Sequence, residues 1–159
     1  MKAAVFSDTH ANVALMLRAA REYRPDVLIH LGDHDRDAEA LRREFPDTPL
    51  YVVAGNCDIG SRAPLCAVVP LGPAKLFACH GHSFGVDWGD VSRLVYAAQE
   101  QGCALALYGH THRADRQELG GVQVLNPGSA GKGRDRSWAS VEVFPNGGLA
   151  CEIHYFDRG

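Results

Sequence analysis

The chain has 159 residues, 46% of them hydrophobic and 22% charged, with a formal net charge of −3. That size suits a single domain, expected over residues 1–159, with a substantial core. The mild acidity and the lack of a long basic run argue against a dedicated nucleic-acid surface, and no apolar run is long enough to span a bilayer. Five cysteines (57, 66, 79, 103 and 151) are scattered without a CxxC pair, which reads as reduced thiols in a cytoplasmic protein. Those in apolar runs read as core, and the first expected strand leaves no room ahead of it for a signal peptide.

In chain order, Ala3-Ala4-Val5-Phe6 reads as a buried strand running into Ser7-Asp8-Thr9-His10. Side chains two apart on an extended backbone point the same way, so Asp8 and His10 should converge just beyond the strand. Alone, that pair fits metal ligation, a nucleophile with its partner, or a surface contact. Val13, Met16, Leu17 and Ala20 then repeat at helical spacing, with Asn12 near the N-cap and Pro25 ending the helix. Val27-Leu28-Ile29 is a second strand leading to Gly32-Asp33, followed by a short helix from about Asp37 to Phe45. His34, Asp35 and Asp37 read as the turn that caps this helix. Leu50 to Val53 is a third strand, ending at Gly55-Asn56-Cys57-Asp58. This β-α-β-α-β order predicts a parallel sheet whose ligand edge lies at the carboxyl ends of its strands, where Asp8, Asp33 and Asn56 fall.

Beyond Arg62 the alternation changes. Leu65 to Leu71 and Lys75 to Cys79 read as strands joined at Gly72-Pro73, the second ending at His80-Gly81-His82. Asp90 is expected to cap a helix carrying Val91, Leu94, Val95 and Ala98. Ala104 to Tyr108 is a strand ending at Gly109-His110-Thr111-His112, and Gly120-Gly121 and Asn146-Gly147 mark hairpin turns. His30 and His154 read as strand residues, and Trp88, between Gly85 and Gly89, as a packed side chain. The expected architecture is two mixed sheets face to face with helices outside.

Five strand ends therefore finish in Asp8 with His10, Asp33, Asn56, His80 with His82, and His110 with His112. Burying this much polarity is costly without a partner, and two divalent cations would satisfy it. Imidazole, carboxylate and amide oxygen without thiolate suit Mn, Fe, Zn, Co or Ni, rather than a structural Cys-zinc site or an all-oxygen calcium site. A cysteine phosphatase is unsuited to the pattern, because Arg62 lies one residue short of His-Cys-x5-Arg and no His precedes Cys57. An aspartyl-phosphate mechanism would want Asp where His10 stands.

Asp8-x-His10, Gly32-Asp33, Gly55-Asn56-Cys57-Asp58, His80-Gly81-His82 and Gly109-His110-Thr111-His112 resemble the ordered motifs of the calcineurin-like metallophosphoesterase superfamily. More closely they resemble its small YfcE-type phosphodiesterases, and Asn126-Pro127-Gly128-Ser129 matches a further stretch of that family. The resemblance implies an α/β fold, a four-layer α/β/β/α sandwich. It implies one ion on Asp8, His10 and His112, another on Asn56, His80 and His110, and Asp33 bridging. The implied activity is that of a dinuclear metal-dependent phosphoesterase, a phosphodiesterase first, in which a hydroxide bridging two ions attacks phosphorus in line. Manganese leads the candidate metals, and a small phosphate ester is the expected partner.

Many members of the superfamily carry a His after the Asn. Cys57 stands there instead, so the catalytic set is Asn56 and Cys57 with His82 as substitute acid. Asn12 and Arg134 are the expected substrate contacts, although Lys132-Gly133-Arg134-Asp135-Arg136 also reads as solvated loop charge. The pattern His-Gly-His and Trp-Gly-Asp at 80–82 and 88–90 resembles the retromer subunit Vps29 as well. The alternative is thus a scaffold or binding module with a non-catalytic metal site. All seven ligand positions are kept here, which favours the enzyme. A homo-oligomer is compatible with the sequence.

Overall fold

The inner strands are near-continuous apolar runs because both their faces are covered, whereas the edge strand at Ala114–Leu119 is polar and largely exposed. A computed structural model describes residues 1–156; the end of the expected 1–159 domain lies outside the described residues. The elements are β1 (Lys2–Phe6), α1 (Val13–Tyr23), β2 (Val27–His30), α2 (Ala38–Glu44), β3 (Leu50–Val52), β4 (Cys66–Leu71) and β5 (Ala74–Cys79). There follow α3 (Ser92–Glu100), β6 (Leu105–Leu107), β7 (Ala114–Leu119), β8 (Val122–Pro127), β9 (Ser137–Val143) and β10 (Leu149–Tyr155). Single 3-10 turns occur at Asp35–Asp37 and Val86–Trp88.

The first sheet has the order β10-β9-β1-β2-β3 and the second β4-β5-β6-β8-β7. The expected parallel run β1-β2-β3 is present, but β1 is also flanked by β9, antiparallel, with Val5 opposite Ala139. In the second sheet β5, β6 and β8 are parallel, with β4 and β7 antiparallel at its edges.

The two-residue period of a strand sorts the core into layers. Along β1, Ala3 and Val5 point between the sheets, while Ala4 and Phe6 point outward under α1 and α2. Along β5, Leu76 and Ala78 point between the sheets, and Phe77 and Cys79 face α3. The helices complete the arrangement: Met16, Ala20 and Leu41 cover the first sheet, and Leu94, Val95 and Ala98 the second. This is the four-layer α/β/β/α sandwich. Each fully buried leucine in its central layer contributes about 1.5–3 kcal/mol through removal from water.

Local details differ from the expectation. Helix α3 starts two residues past Asp90, whose carboxylate takes both the Ser92 N–H (2.9 Å) and the Ser92 hydroxyl (2.7 Å), so it caps from outside. Asn12 occupies the N-cap position of α1 and Asp37 that of α2, yet neither makes a side-chain cap bond. Trp88 is not packed but 94% exposed, because its 3-10 turn buries Val86 instead. Cys66 is half-buried, while Cys79, Cys103 and Cys151 are buried as expected. His154 is a strand residue, stacked on Trp138 at 4.3 Å and bonded to the Ser140 hydroxyl.

Candidate metal centre

The loops leaving β1, β2, β3, β5 and β6 meet on one edge of the two sheets. Asp8 and His10 converge there, but not on an extended backbone. Asp8 (φ 53°), His10 (45°), Ala11 (69°), Asp33 (52°), His34 (67°), His110 (68°) and His112 (59°) are all left-handed. Non-glycine residues adopt this region rarely and at a cost, so something must hold them. Much of that role falls to the Asn126–Ser129 stretch. Asn126 Nδ2 binds Gly109 O and Thr111 Oγ1, each at 3.0 Å, and Ser129 Oγ donates to Asp8 O at 2.7 Å. Packing is close enough that a Cβ on Gly109 would overlap Ser7 and Asp8, and one on Gly55 would overlap Asp33.

The two oxygens of the fully buried Asp8 carboxylate have different surroundings. Oδ2 receives the Ser7 hydroxyl (2.5 Å) and the His110 N–H (3.1 Å). Oδ1 has no well-aligned hydrogen bond among the described residues. Around it lie His112 Nε2 at 3.1 Å and His10 Nε2 and His80 Nε2, each at 3.9 Å. Donor atoms of Asp8, His10, Asp33 and His112 all fall within 4.8 Å of one another. An orphaned buried carboxylate oxygen ringed by imidazole nitrogens fits a cation between them.

Beside this set sits a second. Asn56 Oδ1 lies 3.0 Å from His80 Nε2 and 2.9 Å from His110 Nδ1, and Asp33 Oδ1 lies 3.4 Å from His80 Nε2. The outer nitrogens fix the ring orientations. His80 Nδ1 is 2.7 Å from Leu31 O, so it carries the proton and leaves Nε2 free to face inward. His110 Nε2 is 2.7 Å from Asp87 Oδ1, which leaves Nδ1 inward by the same logic. Among the described residues, the seven expected ligands are thus brought together as two adjoining donor sets with Asp33 at their junction.

The electrostatics favour positive charge here. Burial alone would raise the Asp33 carboxyl, but its bonds with His80 and the Cys57 N–H (3.0 Å) hold it well below the usual range. Burial disfavours charge on His80, and Asp33 and Asp8 reverse that, raising its pKa. His112 is raised by its contact with Asp8. His10 is lowered by burial and by Lys132. The carboxylates therefore draw a positive charge into the space between them.

Of the remaining expected residues, Cys57 is exposed, and Asp33 together with partial burial raises its thiol pKa, so it remains a thiol at neutral pH. His82 lies 5.5 Å from the His80 ring and 6.3 Å from that of His110, with Nδ1 buried and unpartnered among the described residues. Burial, then the neighbouring His80 and His110, lower its pKa. Asn12 is half-buried at the start of α1, and Arg134 is exposed. The cation whose charge reaches His10 and His112 is Lys132.

Three supporting contacts have no counterpart in the sequence reading. Asp87 orients His110. Asp58 takes the N–H groups of Gly55 (2.8 Å), His34 (2.7 Å) and Asp35 (3.1 Å), pinning the β3 loop to the β2 loop. Finally, a buried chain runs from the Gly32 N–H to His30 Nδ1 (3.2 Å), from His30 Nε2 to Thr9 Oγ1 (3.1 Å), and from that hydroxyl to Asp37 Oδ2 (2.6 Å). Asp37 also takes the Ala11 N–H at 2.8 Å, which is why it does not cap α2.

Two mixed sheets carrying this donor set on one shared edge define the class of metallophosphoesterase-fold proteins. The chain belongs to the calcineurin-like phosphoesterase superfamily, whose domain matches residues 1–144. It is 27% identical over 160 residues to a Bacillus subtilis protein named "Probable metallophosphoesterase YsnB", covering 99% of this chain and 92% of that one. Among solved structures it resembles a predicted phosphoesterase of Streptococcus pneumoniae (TM-score 0.72, 28% identity, 98% and 97% covered). The fold is also that of Zn²⁺-complexed Vps29 of Entamoeba histolytica (TM-score 0.76, 23% identity, 99% and 100% covered). An archaeal phosphodiesterase shares it too (TM-score 0.72, 22% identity, 97% and 100% covered).

Proposed function

We propose that the chain is a cytoplasmic phosphodiesterase that works with two divalent transition-metal ions, manganese first among them, on a small phosphate ester. The observation that carries this reading is the cluster of Asp8, His10, Asp33 and His112 donors within 4.8 Å. Asp8, His10 and His112 would hold one ion, Asn56, His80 and His110 the other, and Asp33 both. Bound there, the ions supply Lewis-acid polarisation of phosphoryl oxygens and bring the pKa of water from about 15.7 towards 7.

The chain's own residues do the rest. Leu31 O and Asp87 engage the outer nitrogens of His80 and His110 and so aim the inner ones at the centre. The Cys57 thiol, held protonated beside Asp33, does not attack phosphorus. His82, with Nδ1 unpartnered among the described residues and its ring 5.5 Å from that of His80, is our candidate for the group that meets the leaving oxygen. Its depressed pKa leaves little of it protonated at neutral pH, so esters with good leaving groups should turn over fastest.

The test is metal content per chain together with hydrolysis of bis(p-nitrophenyl) phosphate in Mn²⁺, for the native chain and for Asp33→Asn and His110→Ala. Two ions and turnover that both variants abolish support the reading. A protein that binds no metal and stays inert with every divalent ion sinks it. The scaffold reading would then stand; its support is the exposed Trp88, a free surface anchor on a Vps29-like fold.

A further inference from the structure

A cavity of about 910 Å³ opens beside the metal centre, of a size suited to a nucleotide-like ligand. It lies where edge strand β3 of the first sheet meets edge strand β4 of the second, and Tyr51, Val52 and Ala67 give it an apolar wall. Cys57 and His34 belong both to its lining and to the neighbourhood of the centre. The Cys57 N–H binds Asp33, and the His34 ring is 5.0 Å from that of His10. None of the seven expected ligands lines the cavity itself, so it adjoins the centre through Cys57 and His34.

The formal charges lining the cavity balance, Asp35, Glu39 and Asp58 against Arg36, Arg42 and Arg62, but their hydrogen bonding is lopsided. Each of the three acids already has a donor. Asp58 holds the Gly55, His34 and Asp35 N–H groups, Asp35 holds the Ser61 hydroxyl, and Glu39 pairs with Arg42 at 3.2 Å. Arg36 and Arg62, both exposed, also line the cavity, and their side chains make no hydrogen bond or ion pair among the described residues. Lone surface arginines are ordinary. Two uncommitted ones facing one concavity next to a phosphoryl-binding centre point to an anion.

We propose that this cavity binds the organic part of the substrate and that this part carries a second phosphate, gripped by Arg36 and Arg62. The substrate class is then a nucleotide-sized phosphodiester with a distal phosphate group. The reacting end of this proposal rests on the phosphodiesterase reading; the binding end does not.

Two measurements separate them. In the first, chelator-treated protein is titrated calorimetrically with deoxythymidine 3′,5′-bisphosphate and with deoxythymidine 5′-phosphate. The bisphosphate should bind about tenfold tighter or more, and Arg36→Ala and Arg62→Ala should each erase about tenfold of that preference while melting like the native chain. Equal affinity for the two ligands, no binding of either, or variants that keep the preference would overturn the proposal. In the second, metal-loaded protein is assayed on the p-nitrophenyl ester of thymidine 5′-phosphate with and without a 3′-phosphate. The ratio of the two kcat/KM values should exceed about ten and collapse in both variants. Hydrolysis of both esters at equal rates overturns the cavity assignment and keeps the phosphodiesterase. Hydrolysis of neither, with bisphosphate binding intact, removes the phosphodiesterase and keeps the cavity.

Discussion

Leu107 and His110 are three residues apart and belong to two different kinds of surroundings. Leu107 is fully buried between the sheets on a regular strand, among Val5, Ile29, Leu76 and Leu125. His110 stands just beyond the end of that strand at φ 68°, with Asn56 on one nitrogen and Asp87 on the other. The interior asks only for apolar volume in the right rotamer, whereas the rim asks for particular atoms. The rim is also where the cost collects. Seven of the eight non-glycine residues at positive φ among the described residues lie there, the exception being Arg24 at the end of α1. Strained loops and buried carboxylates persist because the apolar layer beneath over-determines where the strands stop. Activity and stability should therefore separate along the chain.

The sharpest break in that comparison is a rim substitution. Asp33→Asn should lower kcat/KM for bis(p-nitrophenyl) phosphate by about 10³-fold while the chain stays folded, as steady-state kinetics and near-UV circular dichroism will show. The opposite substitution is Leu107→Ala. It should remove about 2–5 kcal/mol of stability in urea titration, and the molecules that remain folded should keep their metal stoichiometry.

His30 tests a residue that belongs to both regions. Burial holds its imidazole neutral with a pKa of about 4, against 6.5 for the free side chain. An unfolded chain takes up this proton as the pH falls through 6.5, and the folded chain does so only near 4. The fold should thus lose stability from this residue between pH 6.5 and 4, by about 3 kcal/mol in all, and not above pH 7. The quantity to measure is the difference between the native chain and His30→Gln. A difference that stays constant with pH would show that His30 titrates freely. The smallest effect expected is from Asp87→Asn, which should weaken metal binding about tenfold by loosening His110, with little change in melting temperature.

Most of the fold was legible in the sequence because its signals are local. Val5 and Phe6 on alternate faces, Met16 and Ala20 on one side of a helix, and Gly72-Pro73 between two strands need only nearest neighbours to be read. The seven expected ligands were legible for a related reason: each follows directly on an apolar run. What supports them was not. Asp87 reaches His110 only because the 3-10 turn at Val86–Trp88 folds back over the β6 end, and the same turn puts Trp88 into solvent. The chain from His30 through Thr9 to Asp37 joins three loops by side-chain bonds that leave no periodic trace. Position and the family resemblance together suggested Arg134, and two residues before it stands Lys132, whose charge is felt by His10 and His112.

The place of β1 has a consequence for how the protein is made. It is the middle strand of its sheet, with Ile29 opposite Val5 on one side and Ala139 on the other. At about 5–20 residues per second of synthesis, β2 follows within seconds, whereas β9 is made on the order of ten seconds later. During that interval one edge of β1 is open on the nascent chain, and His112 is missing from beside Asp8 for most of it. The ribosome therefore delivers a half-sheet first. Sealing that edge and completing the Asp8, His10 and His112 donor set are both late events in synthesis.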